Sequence, residues 1–117
     1  MSDLESDFAR EADDTAAREE PVGTHHLKSH PRYFEAAAQG RKPFEVRVDD
    51  RHFVEGDVVV LHEWDPARGK KRQADGYTGR ELRGRVTYVM HPSDAVVPGV
   101  LHEKYVVLGI HWVGVRP

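Results

Sequence analysis

Cysteine is absent from this chain of 117 residues. The absence excludes a disulfide framework, a thiolate nucleophile, iron–sulfur clusters and any zinc site that needs sulfur ligands. Any chemistry that the protein performs must therefore use histidine, carboxylate, lysine, arginine or hydroxyl groups. A chain of this length is sufficient for one compact domain and too short for two ordinary ones.

Long hydrophobic runs are also missing. The longest, Val58–Leu61 and Tyr105–Leu108, have the length of strands rather than of membrane spans. The first twenty residues contain eight acidic side chains and no apolar run, which excludes a secretory signal. We therefore expect a cytoplasmic protein that has no membrane contact.

The net charge of −3 conceals two parts of opposite sign. Residues 1–22 carry eight acidic and two basic side chains, a balance of −6, whereas the rest of the chain sums to +3. So acidic a segment, with few apolar positions, cannot bury enough surface to become ordered. We predict a disordered acidic tail over residues 1–22 and one domain over residues 23–117. The tail serves solubility or, alternatively, covers a basic face.

The hydrophobic pattern of the remainder predicts an α+β, mainly β fold. A helix enters at Pro31 and ends at Gly40, where glycine permits a left-handed backbone. A short extended segment, His26–Lys28, precedes this helix as a first strand, and strand-like patterns follow at residues 44–49, 58–64, 80–90 and 105–113. Because the connections between these strands are too short for crossover helices, we expect antiparallel pairing in a small curled sheet or barrel with one helix beside it.

Several ordered motifs suggest a family. They are His26-Leu27-Lys28, Tyr33-Phe34-Glu35, Gly40-Arg41-Lys42-Pro43-Phe44-Glu45-Val46-Arg47 and Gly76-Tyr77-Thr78-Gly79-Arg80-Glu81. The set resembles a short bacterial and phage branch of the ASCH domains, which belong to the PUA-like superfamily, and covers nearly all of residues 24–112. The resemblance implies a small β-barrel with a helix beside a cleft. It also implies RNA binding or RNA modification, and some ASCH domains hydrolyse modified cytidine.

The first candidate site is formed by Lys42, Glu45 and Arg47. In the amidohydrolase branch that this stretch resembles, a threonine stands at the position of Glu45, whereas Lys42 and Arg47 match. We predict that all three residues contact a ligand. Lys42 and Glu45 are also catalytic candidates, as a positioning cation and a general base. The simpler alternative is an ion pair on a polar sheet face. Because the threonine hydroxyl is missing, we expect no hydrolysis of acetylcytidine.

The second candidate site follows a basic stretch. Residues 65–85 contain seven basic and three acidic side chains. Phosphates attract such cations, and unpaired bases stack on aromatic rings or guanidinium planes. We predict that Tyr77, Thr78 and Arg80 contact RNA. A solvated loop is the alternative reading.

The eight histidines do not follow the spacing of a metal site. We therefore expect neither a metal nor another cofactor. Through the family resemblance, His26 is the histidine that we expect to find at the cleft.

Together these patterns predict an RNA- or nucleotide-binding PUA-like module, acting as a monomer on RNA or a nucleotide-like ligand. One alternative is a hydrolase of modified nucleosides or of RNA, an amidohydrolase or ribonuclease that uses the same cleft. A second alternative is a small protein that binds a protein partner through its acidic tail.

Overall fold

The computed structural model describes residues 23–68, 75–95 and 98–116. Its elements are β1 (Thr24–Ser29), α1 (Pro31–Ala38), β2 (Phe44–Val48), β3 (Val58–Trp64), β4 (Tyr77–Met90), a 3-10 turn (Pro92–Asp94) and β5 (Tyr105–Arg116). The predicted tail over residues 1–22 lies outside the described residues. None of the helices in the described ranges is long and apolar enough to cross a membrane.

The five strands form one sheet in the order β1-β3-β4-β5-β2, which curls into a half-barrel. The mainly β prediction is confirmed at this level. The expectation of purely antiparallel pairing is wrong, because β1 and β3 are parallel. These two strands are separated by the segment that contains α1 and β2, which is long enough for a crossover connection. The other pairs are antiparallel.

Helix α1 packs on the concave face of the sheet. Phe34 and Ala37 are fully buried, and they join apolar side chains of β1, β3, β4 and β5 in one core. Pro31 occupies the first turn and Gly40, with a φ of +80°, follows the end of the helix, both as predicted. Tyr33, beside Phe34 on the same helix, is by contrast about half exposed.

Strand β4 begins at Tyr77, earlier than predicted, and β5 continues to Arg116. The pairing of β4 with β5 shifts register between Val86 and Tyr88. Val86 is buried and Tyr88 is exposed, although a regular strand would turn both to the same face. The irregularity explains why buried and exposed side chains no longer alternate regularly after Val86.

Strand β2 has the opposite orientation to the one that its sequence favours. Its apolar side chains, Phe44, Val46 and Val48, are exposed, whereas Glu45 is only 4% exposed. The alternation was correctly recognised as a strand, but the buried face is the polar one. Its polar side chains face the gap between β2 and β1, where the sheet does not close.

Two arginines bridge that gap. Arg47, on β2, donates from Nη2 to the carbonyl oxygen of Lys28 at 3.0 Å, and Arg51 donates from Nη1 to that of His26 at 3.0 Å. Both acceptors lie on β1, which is an edge strand. The guanidinium groups therefore donate hydrogen bonds to backbone carbonyl oxygens that could otherwise pair with another strand. The two edges of the sheet are joined by side chains and leave a cleft between them.

Candidate functional site

Lys42 lies where the chain passes from α1 to β2. The carbonyl oxygen of Ala36 accepts the backbone N–H of both Arg41 and Lys42, at 2.9 and 3.2 Å. The indole N–H of Trp112 donates to the carbonyl oxygen of Lys42 at 2.8 Å. The backbone at this corner is therefore held by both the helix and β5, which limits where the Lys42 side chain can reach.

Glu45 is the centre of a three-residue ion cluster. Lys42 Nζ donates to Oε2 of Glu45 at 2.6 Å and also to the carbonyl oxygen of Phe44 at 2.9 Å. Arg47 contacts Oε1 of Glu45 from Nε at 3.1 Å and from Nη2 at 3.0 Å. Both oxygens of the buried carboxylate are thus engaged by cations. An arrangement of this kind holds the two cations in fixed positions.

A cleft of about 300 Å³ opens beside this ion cluster. Eight residues, from β1, α1 and β2 with their flanking segments, line it: Lys28, Ser29, His30, Tyr33, Lys42, Glu45, Val46 and Arg47. The predicted site residues Lys42, Glu45 and Arg47 therefore do share one cavity. Its volume is at the lower end of the range for small-molecule sites.

Thr78 and Arg80 lie in a neighbouring polar cluster around Glu63, which is buried in β3. Thr78 donates from Oγ1 to Oε1 of Glu63 at 2.8 Å, and Arg80 Nη1 lies 3.5 Å from the same oxygen. Arg80 also reaches Glu35 on α1 at 3.4 Å. Ser29, on the cleft wall, is the register partner of Glu63. The Arg80 charge is thus balanced by two carboxylates.

His26 and Tyr77 are found on the convex face of the sheet, away from the ion cluster. His26 Nδ1 lies 2.8 Å from Nε2 of His62, and their rings stack at 5.1 Å. Tyr77 contacts His62 edge-on at 6.4 Å. The predicted residues therefore occupy three places, and their role as ligand contacts stays a prediction.

Burial lowers the pKa of His26 below its ordinary value of 6.5, and the nearby His62, Arg83 and Arg51 lower it further, whereas Glu81 opposes them. The neutral imidazole is consequently favoured. At neutral pH, His26 offers an uncharged ring.

Four residues at these places were not predicted as site residues: Ser29, Tyr33, His62 and Glu63. A signal existed for two of them. Ser29 and Glu63 have the same parity as the buried residues of their strands, and a polar side chain on a buried parity suggests a special role. His62 is a polar residue at an outward-facing position of a strand, which is ordinary in a strand sequence. Only the pairing of β1 with β3 brings it to His26.

Within the described parts of the chain, no three histidine or carboxylate side chains come together as metal ligands do. The polar residues at the cleft are instead dominated by cations. Groups of this type are suited to binding an anion.

Comparison with known proteins adds a family. Residues 24–110 match the family model described as a domain of unknown function, DUF3850. The chain is also similar to a protein of Escherichia phage P2 described as an uncharacterized 12.9 kDa protein in the GpA 3′ region. The two are 36% identical over 84 residues, which cover 72% of this chain and 64% of the phage protein. Since the family model matches well over half of its length, the chain belongs to the DUF3850 family.

Proposed function

We propose that this protein is an RNA- or nucleotide-binding module of the PUA-like ASCH type, which holds one anionic, nucleotide-like ligand in the cleft beside Glu45. The observation that carries the proposal is the composition of the cleft wall. Lys42 and Arg47 bring two positive charges to the cleft, Lys28 is a third basic residue in its wall, and Glu45 is the one carboxylate among the lining residues. The curled sheet with a helix beside the cleft agrees with this type of module.

An aromatic ring stands at the same cleft. Tyr33, on α1, is 49% exposed and belongs to the cleft wall. A nucleotide combines an anionic phosphate with a flat base, and these two parts require cations and an aromatic surface. The cleft contains both, so a nucleotide fits its chemistry better than a simple anion does.

Glu45 supports this role by orienting the cations. Without a carboxylate between them, two positive side chains would repel each other and spread into solvent. In their ion pairs with Glu45, the side chains of Lys42 and Arg47 are 18% and 26% exposed. Both keep unused hydrogen-bond donors for a phosphate. Glu45→Gln should therefore weaken phosphate binding, because the amide keeps the shape of the side chain but lacks the negative charge that holds the two cations together.

The test is calorimetric titration of the full chain with uridine monophosphate at low ionic strength. We expect binding that weakens as salt is added and that falls about tenfold or more in Arg47→Ala. Arg41→Ala is the matched control, because Arg41 is a neighbouring arginine that does not line the cleft. Its effect should be small.

Arg47→Ala also removes a hydrogen bond to β1, so its thermal unfolding must be measured in parallel. Tyr33→Ala provides a second variant at an exposed position, and it should weaken binding by about 1–3 kcal/mol if a base stacks there. Absence of uridine monophosphate binding by the wild type at low salt would disprove the proposal. So would equal losses in Arg47→Ala and Arg41→Ala.

A hydrolase using this cleft is the second candidate. The observation that favours it is Ser29, a residue with a hydroxyl group that lines the same cleft as Lys42. Acetylcytidine is the substrate to test, and we expect the wild type to leave it intact, because Glu45 stands where the amidohydrolase branch has threonine. Turnover that is lost in Ser29→Ala would instead favour the enzyme.

A further inference from the structure

The convex face of the sheet carries a strip of aromatic and basic side chains that begins at the cleft wall and extends away from it. We define this outer strip by six residues of β1, β3 and β4: His26, Lys28, His62, Trp64, Tyr77 and Arg83. Strand pairing places them together, since Lys28 is the register partner of His62, and Trp64 that of Tyr77. Side chains at paired positions share one face of a sheet.

Three rings of the outer strip, those of His26, His62 and Tyr77, form a chain of contacts. His26 stacks on His62 at 5.1 Å with an angle of 29° between the ring planes, and His62 meets Tyr77 edge-on. Tyr77 is 42% exposed, so much of its ring is open to solvent. Exposed rings side by side on a sheet suit stacking with unpaired bases, because every base has a flat face.

Cations are interleaved with these rings. Lys28 Nζ lies 4.2 Å from the centre of the Trp64 ring, and Arg83 is close enough to His26 to lower its pKa. Arg51 adds a third cation at the edge near His26. Glu81 is an acidic residue on this face, 4.0 Å from His62. The positive excess is suited to phosphates, while the neutral His26 ring remains available for stacking.

The outer strip is continuous with the cleft. His26, Leu27, Lys28, His62 and Tyr77 line a second cavity, of about 310 Å³. Lys28 also lines the cleft beside Glu45. Two cavities of similar volume thus share one lysine, and each has an aromatic ring, Tyr33 in the first and Tyr77 in the second.

We infer that the ligand is a single-stranded oligonucleotide, which places one nucleotide in the cleft and the next on the outer strip, with the phosphate between them at Lys28. The cleft half of this inference rests on the proposed function. The outer strip is the additional site, and its contribution to oligonucleotide affinity can be measured separately from that of the cleft. Bases in a duplex are already stacked on each other, so the strip should favour single strands.

The experiment compares uridine monophosphate with oligouridylates of increasing length by fluorescence anisotropy, in competition for a labelled oligouridylate. We expect oligomers to bind at least about tenfold more tightly than the mononucleotide. Tyr77→Ala should remove about tenfold of the oligomer affinity and leave mononucleotide affinity unchanged. Tyr88→Ala is the matched control, because this tyrosine is 54% exposed and lies outside both cavities. Arg47→Ala should weaken both ligands.

The inference fails if oligomers bind no better than uridine monophosphate, or if Tyr77→Ala and Tyr88→Ala have equal effects. It also fails if polyphosphate or duplex RNA of matched charge competes as well as the single strand, since the face would then attract any polyanion. Failure of the cleft proposal would give a different set of binding results. In that case the mononucleotide does not bind and Arg47→Ala has no effect, while oligomers still bind and still lose affinity in Tyr77→Ala.

Discussion

Asp57 illustrates how one buried carboxylate can organise a fold. It accepts the backbone N–H groups of Gly23 and Val54, each at 3.0 Å, and contacts His25 Nε2 at 2.7 Å. Asp57→Ala leaves these donors without their acceptor, which should lower the free energy of unfolding by about 3 kcal/mol. Urea denaturation measures this loss. Asp50→Ala removes an exposed carboxylate and should change stability by less than about 0.5 kcal/mol. Similar losses in the two variants would contradict the structural role of Asp57.

His26 predicts a pH dependence of stability. Its pKa is lowered in the folded state by burial and by His62, Arg83 and Arg51, against the opposite effect of Glu81. The unfolded chain therefore binds a proton at a higher pH than the folded protein does. This contribution to stability is complete above pH 6.5, the ordinary pKa, and is lost as the pH falls through the lower folded value.

The measurement is thermal unfolding across this pH range. The melting temperature of the wild type should fall as the solution is acidified below about pH 6.5. In His26→Gln, which cannot be protonated there, part of this slope should disappear. An unchanged slope would show that other groups control the acid sensitivity.

At the scale of elements, β2 shows where local sequence patterns are informative and where they are not. Its alternation correctly predicted a strand. The buried face of β2 is nevertheless the polar one, since Glu45 turns inward and Val46 is 50% exposed. Hydrophobicity favours the opposite choice. Pairing with β5 and the cations at the cleft stabilise the observed one, and both depend on residues distant from β2 in the sequence.

The close packing around Gly84 predicts that any side chain at this position would disturb the β4–β5 pair. A methyl group there would lie 2.5 Å from Cγ2 of Ile110 and 2.6 Å from Cε3 of Trp112. Gly84→Ala should therefore destabilise the protein by about 1–3 kcal/mol, as core overpacking does. Gly114→Ala is the matched control in β5, since its added methyl group meets nothing within 4 Å. Chemical denaturation of the two variants should separate them, and equal stability would contradict the close packing at Gly84.

At the scale of the whole molecule, the charge split between residues 1–22 and the rest of the chain predicts how removal of the acidic segment affects stability and oligouridylate affinity. The buried core cluster of the described residues lies between Leu27 and Ile110, so removing residues 2–22 should leave the melting temperature nearly unchanged. Because the removed segment carries a balance of −6, oligouridylate affinity should rise, most strongly at low salt. A loss of many degrees would show that the segment belongs to the core. Unchanged affinity would exclude a covering role.

The parts of this protein that were predictable from sequence are those that depend on neighbours along the chain. The strand patterns, the limits of α1 and the charge split are local properties. The grouping of Lys42, Glu45 and Arg47 is local too, since these residues are two and three positions apart. Spacing this short brings side chains together in whichever sheet the strand joins.

Long-range contacts were not predictable in this way. The parallel pairing of β1 with β3 brings His26 to His62, which lies 36 positions away, and places Ser29 beside Glu63. The burial of Glu45 depends equally on which side of β2 meets the gap in the half-barrel. A strand presents two faces and two edges, and its own sequence specifies only that they alternate. The packing of the whole sheet determines which face is covered and which edge stays open, and this choice creates both the cleft and the outer strip.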